Sequence, residues 1–405
     1  MGIMSDLKNR LKMGWRRGLT AGLILFLLFG GVCGASTGET QSPVDPIAIG
    51  CILPLSGRNA AYGNRALDAV LLAAGVFNAA KETPIRLLIE DSQSDPAVAG
   101  AAVEKLASAG IICILGPLGS QEAVEAAKEA QRLKVPILTL TQREGITAIG
   151  DYVFRNFLTA AMQIRTVVRY AQAELGLRRF AVLYPNDAYG QEMARLFREE
   201  VLRNGGEIRK EGVYKTDQTD FAQEIRAIGG VAPAGSGDKV TEETPPKAVP
   251  DFEALFIPDS YVRVAMIVPQ LVYYGITGVR LLGTSGWNSP ELVKKTPEYL
   301  QGAIFVDGFF ANSFRPEVNN FIETFYMAYG REPDAMEALA YDAAAVAVRL
   351  LLENPGATRE AFRSALAQVK DYKGVTGKTS FPPSRDAEKD LFVLMVNDGQ
   401  IIQVK

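Results

Sequence analysis

The sequence contains no histidine among its 405 residues. This absence excludes Ser-His and Cys-His nucleophile pairs and zinc sites built on imidazole, because each of them needs a histidine ring. Carboxylates and lysines remain, and the acidic pair Glu90 and Asp91 follows a strand-like run. Charged residues at strand ends are usually solvated loop residues. With no cysteine motif and no Gly-x-Ser-x-Gly turn, the sequence predicts a protein that is not an enzyme.

The sequence also lacks a strong net charge. It has 43 Lys and Arg against 46 Asp and Glu, a formal net charge of −3. A chain so balanced has no basic stripe for a phosphate backbone or an anionic membrane surface, so we expect no nucleic-acid partner. No Gly-x-Gly-x-x-Gly follows the first strand-like run, and no cluster of metal-ligating residues stands out, so no cofactor or metal is expected.

The N-terminus has the order of a signal peptide, which we predict over residues 1–35. Basic residues precede the apolar run Leu19–Val32, and small residues follow it. The run falls short of the ~20 apolar residues of a membrane-spanning helix, although a membrane anchor is the alternative. We therefore expect export to the periplasm. Cys33 leaves two alternatives: lipidation at that cysteine, or ordinary cleavage near Ala35.

Only three cysteines occur in the sequence, and export would leave Cys51 and Cys113 as the pair in the folded part. Both fall in apolar strand-like runs, and two strand residues form a disulfide only if their Cβ vectors converge. The sequence favours two buried free thiols, with a disulfide as the alternative in an oxidising compartment.

Apolar runs alternate with amphipathic helical stretches along most of the chain. The spacing predicts a helix over 64–80, and Asp95-Pro96 predicts the start of another. Parallel strands need crossover helices, so the order predicts an α/β fold with two doubly wound parallel sheets. Asp398-Gly399 predicts a hairpin near the C-terminus. The strand-like runs are 47–54, 85–90, 111–115 and 136–140, then 178–184, 212–215, 252–258, 279–283 and 303–310.

Residues 229–250 interrupt the second half of this pattern. The segment is rich in Gly, Pro, Thr and charge, and it offers little apolar surface to bury. We predict an exposed insertion. Its Gly-Ser-Gly-Asp-Lys stretch lacks the spacing of a phosphate-binding loop.

Four segments carry a resemblance to a known family: PLSGRNAAYG (54–63), GPLGS (116–120), NDAYGQ (186–191) and GTSGWNSPEL (283–292). In order and spacing they resemble the type I periplasmic binding proteins, in the leucine/isoleucine/valine-binding branch. The resemblance implies two lobes joined by a three-crossing hinge that closes around a ligand. On that basis lobe one is 46–155 plus 312–378, and lobe two is 156–311 plus 379–405.

The resemblance also implies binding residues in lobe one. Ser120 would open a helix and hold a ligand carboxylate at the helix N-terminus; the alternative is that Ser120 only caps the helix. Thr141 or Gln142 would add a second carboxylate contact, or form an ordinary turn. Ser56 and Tyr62 would line the pocket from the first loop.

Lobe two supplies the remaining candidates. Tyr189 and Tyr261 would face the ligand, with helix-start packing as the alternative for Tyr189. Ser285 stands where amino-acid binders of the family tend to carry an acid for the ligand ammonium, so the α-amino-acid ligand depends on Asp187 or Asp259 as a substitute. Trp287 would either stack on the ligand or pack at the lobe edge.

Two function hypotheses follow from the resemblance. The first is a solute receptor that binds a small carboxylate, such as an amino acid, for the membrane permease of an ABC transporter. The second is an activator of a penicillin-binding protein, because FEALFIPDSY and LLGTSGW resemble proteins of that kind.

Overall fold

The computed structural model describes residues 46–77, 84–230, 248, 250–295 and 297–405, within one unit of the chain, Asp45–Lys405. The predicted signal peptide and Cys33 lie outside the described residues, as does nearly all of the predicted insertion at 229–250.

Five parallel strands form the first sheet, in the order β2-β1-β3-β4-β5. Every residue of the central strand β1 is buried, which explains its continuous apolar run, because helices cover both faces of a parallel sheet. The strands are β1 (Ile47–Leu53), β2 (Ile85–Asp91), β3 (Cys113–Leu115), β4 (Ile137–Thr139) and β5 (Val153–Arg155).

Three helices connect the strands of this sheet: α1 (Ala60–Ala73), α2 (Pro96–Ser108) and α3 (Ser120–Arg132). Helix α1 begins before the predicted 64–80 and ends earlier. Helix α2 begins as predicted, since the Asp95 carboxylate accepts the N–H groups of Ala97 and Val98 at 2.7 and 3.1 Å.

The second sheet has seven strands in the order β15-β14-β10-β9-β8-β6-β7, in which β14 runs antiparallel to both of its neighbours, β10 and β15. Its strands are β6 (Arg179–Pro185), β7 (Glu207–Tyr214), β8 (Ala254–Phe256), β9 (Arg280–Gly283), β10 (Ile304–Asp307), β14 (Phe392–Asn397) and β15 (Gln400–Gln403). Helix α4 (Ala160–Arg169) precedes β6, and the helices between the strands are α5 (Ala188–Arg203), α6 (Ala222–Ile228), α7 (Tyr261–Tyr273) and α8 (Pro290–Lys295). Strand β7 is longer than the predicted run at 212–215, and β10 is shorter than 303–310.

The chain passes between the two lobes three times, which confirms the predicted α/β fold with two parallel-sheet lobes. It leaves the first sheet after β5 and returns after β10 to the helices α9 (Pro316–Tyr329), α10 (Ala335–Glu353) and α11 (Arg359–Ala367). These helices are tied to the first lobe by contacts such as the Arg359 guanidinium, which donates to the carbonyl of Ile111 at 2.9 Å.

A small antiparallel sheet precedes the third passage and was not predicted. It consists of β11 (Tyr372–Gly374), β12 (Gly377–Ser380) and β13 (Glu388–Lys389). Its turn is held by Asp342 of α10, whose carboxylate accepts the N–H groups of Val375 and Thr376, both at 2.8 Å. Because β13 ends at Lys389 and β14 of the second sheet begins at Phe392, the last passage between the lobes lies near Asp390. The lobe boundaries given above remain a prediction.

Two local predictions are confirmed. Strands β14 and β15 form a hairpin whose loop residues, Asp398 and Gly399, both have positive φ, at 48° and 70°. Cys51 and Cys113 are buried and free. Burial raises the pKa of Cys51 to about 12 and also raises the pKa of Cys113.

Candidate ligand-binding site

The loops that follow β1, β3 and β4 surround a cavity of about 550 Å³. They lie at the carboxyl ends of the strands, where ligands of open α/β sheets bind. The cavity is lined by Arg58, Asn59, Tyr62, Leu118, Gly119, Ser120, Gln121, Glu122, Leu140, Gln142, Phe157 and Met336.

Helix α3 points its N-terminus at this cavity. Its cap residue is Gly119, and the side chain of Ser120 makes no capping hydrogen bond, so the interpretation of Ser120 as a helix cap is wrong. The first intrahelical hydrogen bond runs from the N–H of Ala123 to the carbonyl of Gly119, at 2.8 Å. The three preceding N–H groups have no partner among the described residues. Together with the helix dipole they favour an anion at this end.

Tyr62 also lines the cavity, from the first turn of α1, and is 58% exposed. The next residue, Gly63, passes so close to the end of β1 that a Cβ atom there would lie 2.0 Å from the carbonyl oxygen of Pro54. Only glycine permits this approach, and the approach fixes Tyr62 at the cavity edge.

The second lobe repeats the arrangement. Tyr189 lies in the first turn of α5 and is 48% exposed, and a Cβ atom on the following Gly190 would lie 2.2 Å from the carbonyl oxygen of Pro185. The repeated Tyr-Gly pair therefore has one structural cause in both lobes. It places one aromatic side chain at the strand-end edge of each sheet.

Around Tyr189 the second lobe presents polar groups. The Tyr189 hydroxyl lies 3.3 Å from Oγ1 of Thr284, and the Tyr214 hydroxyl donates to Asp259 at 2.6 Å. Burial and the charges of Asp259 and Asp187 raise the pKa of Tyr189, against the hydrogen bond with Thr284. Asp187 itself caps α5 by accepting the N–H of Gly190 at 2.7 Å.

The pair Thr141 and Gln142 is separated by the structure. Thr141 is fully buried, and its Oγ1 accepts the N–H of Arg143 at 3.2 Å, which is the geometry of a turn residue. Gln142 lines the cavity. Of the two alternatives, Gln142 is therefore the one whose side chain can meet a ligand there.

Ser56 lies in the first loop but is engaged by another side chain. Its hydroxyl donates to Asp91 at 2.6 Å, and the same carboxylate accepts the N–H groups of Leu55 and Ser56 at 2.8 and 3.1 Å. Burial opposes ionisation of Asp91, and these hydrogen bonds, with one from the N–H of Gln93, nevertheless lower its pKa. Asp91 is thus a structural anchor of the loop.

The remaining second-lobe candidates lie near Tyr189, at the strand-end edge of the second sheet. The N–H of Ser285 donates to Oε1 of Gln163 at 2.9 Å, and Tyr261 is the first residue of α7. Trp287 is fully buried and donates its indole N–H to the carbonyl of Ile257 at 3.1 Å. The stacking role for Trp287 is therefore wrong, because its ring belongs to the core.

The structure thus brings Tyr62, Ser120 and Gln142 to one cavity, which is walled by first-lobe loops, Phe157 of the first passage and Met336. Tyr189, Tyr261 and Ser285 lie at the strand-end edge of the other sheet, and their approach to a ligand remains a prediction. Two of the lining residues, Arg58 of the first loop and Glu122 of α3, are not among the residues predicted from the sequence.

The described residues contain no group of three or more acidic or cysteine side chains arranged to hold a metal ion. Within the same residues, no helix combines the length and the hydropathy needed to cross a bilayer.

Two lobes with parallel sheets, joined by three passages and bearing polar loops at their strand ends, form an α/β fold in which a ligand can bind at the strand ends. Residues 46–400 match the family model of the periplasmic binding proteins. The chain therefore belongs to the type I periplasmic binding proteins, which are solute-binding proteins.

Known relatives agree with this assignment. The chain is 23% identical over 377 residues to Leu/Ile/Val-binding protein homolog 3 of Brucella melitensis, covering 91% of this chain and 96% of that protein. It is 27% identical over 203 residues to an uncharacterized protein of Methanocaldococcus jannaschii, and that match spans about half of either protein, 47% of this chain and 48% of the other.

One solved structure is similar to this protein along almost the whole length of both chains. It is a Rhodospirillum rubrum protein assigned to a branched-chain amino acid ABC transporter, 25% identical, with a TM-score of 0.79, covering 88% of this chain and 99% of that one. The hypothesis of a penicillin-binding-protein activator finds no support in these relatives.

Proposed function

We propose that this protein is exported to the periplasm, where it captures a small carboxylate-bearing solute between its lobes and delivers it to the permease of an ABC transporter. The observation that carries the proposal is the N-terminus of α3, whose first N–H groups find no partner in the part of the chain that the structure describes, at the wall of a cavity of about 550 Å³. The 13 residues of α3 give this end a full helix dipole, which favours a carboxylate beside Ser120.

The second lobe would complete the site when the hinge closes. Tyr189 and Tyr261 would then cover the solute from the second lobe and Tyr62 from the first, and the loop at Ser285 would select solutes by the polar group they present to it. The relatives named for leucine, isoleucine, valine or branched-chain amino acids support an amino acid or a similar carboxylate as the solute. Lipidation at Cys33 remains a prediction.

Calorimetry and thermal unfolding against a panel of amino acids and small carboxylates test this function. A solute at 100 times its Kd should stabilise the protein by ~2.7 kcal/mol. Ser120→Ala should weaken binding by about tenfold, the loss of one hydrogen bond to a charged group. The matched control is Ser108→Ala, at an exposed position near the end of α2, and it should bind as the parent does.

Two results would contradict the proposal. One is the absence of stabilisation by any small carboxylate in the panel. The other is unchanged affinity in Ser120→Ala for a solute that does bind.

A further inference from the structure

Arg58 carries a positive charge that no other side chain neutralises. Of the described residues that line the first-lobe cavity, it alone is basic. Within the part of the chain that the structure describes, its guanidinium forms no ion pair and no hydrogen bond. Arg65 of helix α1, by contrast, pairs with Asp334 and Glu337 at 2.6 and 3.1 Å. The charge of Arg58 is therefore available to a molecule in the cavity.

Glu122 is the one acidic residue among those lining the same cavity, and it does not pair with Arg58. Its carboxylate accepts a hydrogen bond from the hydroxyl of Ser92, and only 2% of the residue is exposed. Since an unpaired cation at the wall of a cavity attracts negative charge, the position of Arg58 favours a solute that carries an anionic group there.

The loop that carries Arg58 is fixed on both sides of this residue. Before it, the hydroxyl of Ser56 donates to Asp91 at 2.6 Å. After it, the N–H of Asn59 donates to Oγ of Ser94 at 3.1 Å, and the Ser94 hydroxyl donates to the carbonyl of Ser56 at 3.2 Å. The loop backbone is thus anchored, while the guanidinium is left without a partner.

Gly57 adds a steric reason for this loop conformation. Its φ is 79°, and a Cβ atom there would lie 2.5 Å from the carbonyl oxygen of Gln93. Because the backbone is already ordered, the entropy lost when a solute binds Arg58 is confined to the side chain itself.

The chemistry of the guanidinium suits a carboxylate. Its planar group of N–H donors pairs with a carboxylate through two parallel hydrogen bonds. The proposed function places one solute carboxylate at the N-terminus of α3, beside Ser120. Arg58 comes from a different loop, so it would meet another part of the solute, and a cavity of about 550 Å³ has room for a small molecule beside both.

We infer that Arg58 is a specificity-determining residue that binds a second carboxylate of the solute. The first-lobe cavity therefore favours small dicarboxylates, acidic amino acids included, over monocarboxylates of the same shape. This inference rests on the proposed function and gives it a solute class.

Matched solute pairs test the inference, because the two members of each pair differ only in a carboxylate replaced by an amide. Suitable pairs are glutamate with glutamine, aspartate with asparagine, and succinate with succinamate. Calorimetry gives the ratio of the two affinities. We expect the parent protein to bind the dicarboxylate of at least one pair more tightly than the amide. Arg58→Gln should reduce that ratio by about tenfold, the loss of a hydrogen-bonded charge pair.

Two further variants separate recognition by Arg58 from a structural role. Arg58→Lys keeps the charge but loses the paired donors, so its ratio should lie between those of the parent and Arg58→Gln. The matched control is Arg86→Gln, at an exposed position near the start of β2, at the end of the sheet away from the cavity. It should leave the ratio unchanged. If Arg58→Gln weakens both members of a pair equally, the inference is overturned.

If Arg58→Gln fails to fold by circular dichroism, the salt dependence of the parent decides. The preference for the dicarboxylate should fall as the salt concentration rises, because salt screens the charge of an exposed arginine. A preference independent of salt would overturn the inference. If the parent binds both members of every pair equally, the inference fails while the proposed function stands. If it binds no small carboxylate at all, both fail.

Discussion

The buried pair Asp342 and Lys389 should control the stability of the segment that leads into the last passage between the lobes. Lys389 Nζ donates to the hydroxyls of Thr376 and Thr379, both at 2.8 Å, and lies 3.9 Å from the Asp342 carboxylate. Burial, only partly offset by the charge of Asp342, lowers the pKa of Lys389 from 10.5 to about 8. That difference corresponds to about 3 kcal/mol of unfavourable free energy for the charged lysine at neutral pH.

Asp342→Asn removes the counterion and keeps the shape of the side chain. It leaves Lys389 as an unpaired buried charge and turns an amide donor toward the N–H groups of the β11–β12 turn. Breaking a buried pair in this way costs about 3–5 kcal/mol, so we expect the free energy of unfolding to fall by that amount at pH 6.

The loss of unfolding free energy caused by Asp342→Asn should become smaller as the pH rises. A lysine with a lowered pKa in the folded state gains stability as the pH rises from that pKa toward its unfolded value. Without Asp342 the pKa of Lys389 in the folded state falls further below 8. The rise in folding stability with pH therefore begins at a lower pH in the variant than in the parent protein. The difference between parent and variant should therefore narrow as the pH rises from 6 to 8.

Urea unfolding followed by circular dichroism at pH 6, 7 and 8.5 measures this difference. The matched control is Asp371→Asn, which removes one exposed carboxylate near the same small sheet and should change stability little. A deficit below about 1 kcal/mol, or one that does not change with pH, would refute the reasoning.

Two further predictions concern other residues. Gly190→Ala should destabilise the protein by about 1–3 kcal/mol through the clash with Pro185, and should weaken solute binding by displacing Tyr189. Gly100→Ala, in α2, should instead stabilise the protein by about 0.5–1 kcal/mol, because its Cβ would meet only side-chain atoms of α3, at 3.8 Å or more. Thermal unfolding of both variants measures the two effects, and equal shifts in melting temperature would count against the contacts described. Burial, against hydrogen bonds from Asn288 and backbone N–H groups, raises the pKa of Asp307 from 3.8 to about 6, so its contribution to stability should drop by about 3 kcal/mol as the pH rises from about 4 to about 6. The Asp307→Asn variant should lack this decrease in stability with pH. If urea unfolding gave the same pH dependence for the parent and the variant across this range, the role assigned to Asp307 would be wrong.

The sequence was sufficient where local chemistry decides the structure. Asp95-Pro96 starts a helix because the Asp95 carboxylate accepts N–H groups of the first turn and proline has no N–H group that would need a partner there. Asp398-Gly399 makes a hairpin because both residues accept positive φ. The continuous apolar run of β1 indicated a strand covered on both faces, and the repeated strand–helix order indicated parallel sheets.

Only the tertiary structure could decide which side chains meet. Glu122 follows Ser120 by two residues, yet it turns inward because its partner, Ser92, comes from a loop 30 residues earlier. Ser56 is engaged by Asp91, and Trp287 finds its place in the core through the carbonyl of Ile257. The small sheet near residue 380 depends on Asp342, more than 30 residues away, and its short strands carry no apolar alternation of their own. Local propensity fixes the elements, whereas contacts between distant segments determine which face each residue presents, and so which charges reach the cavity.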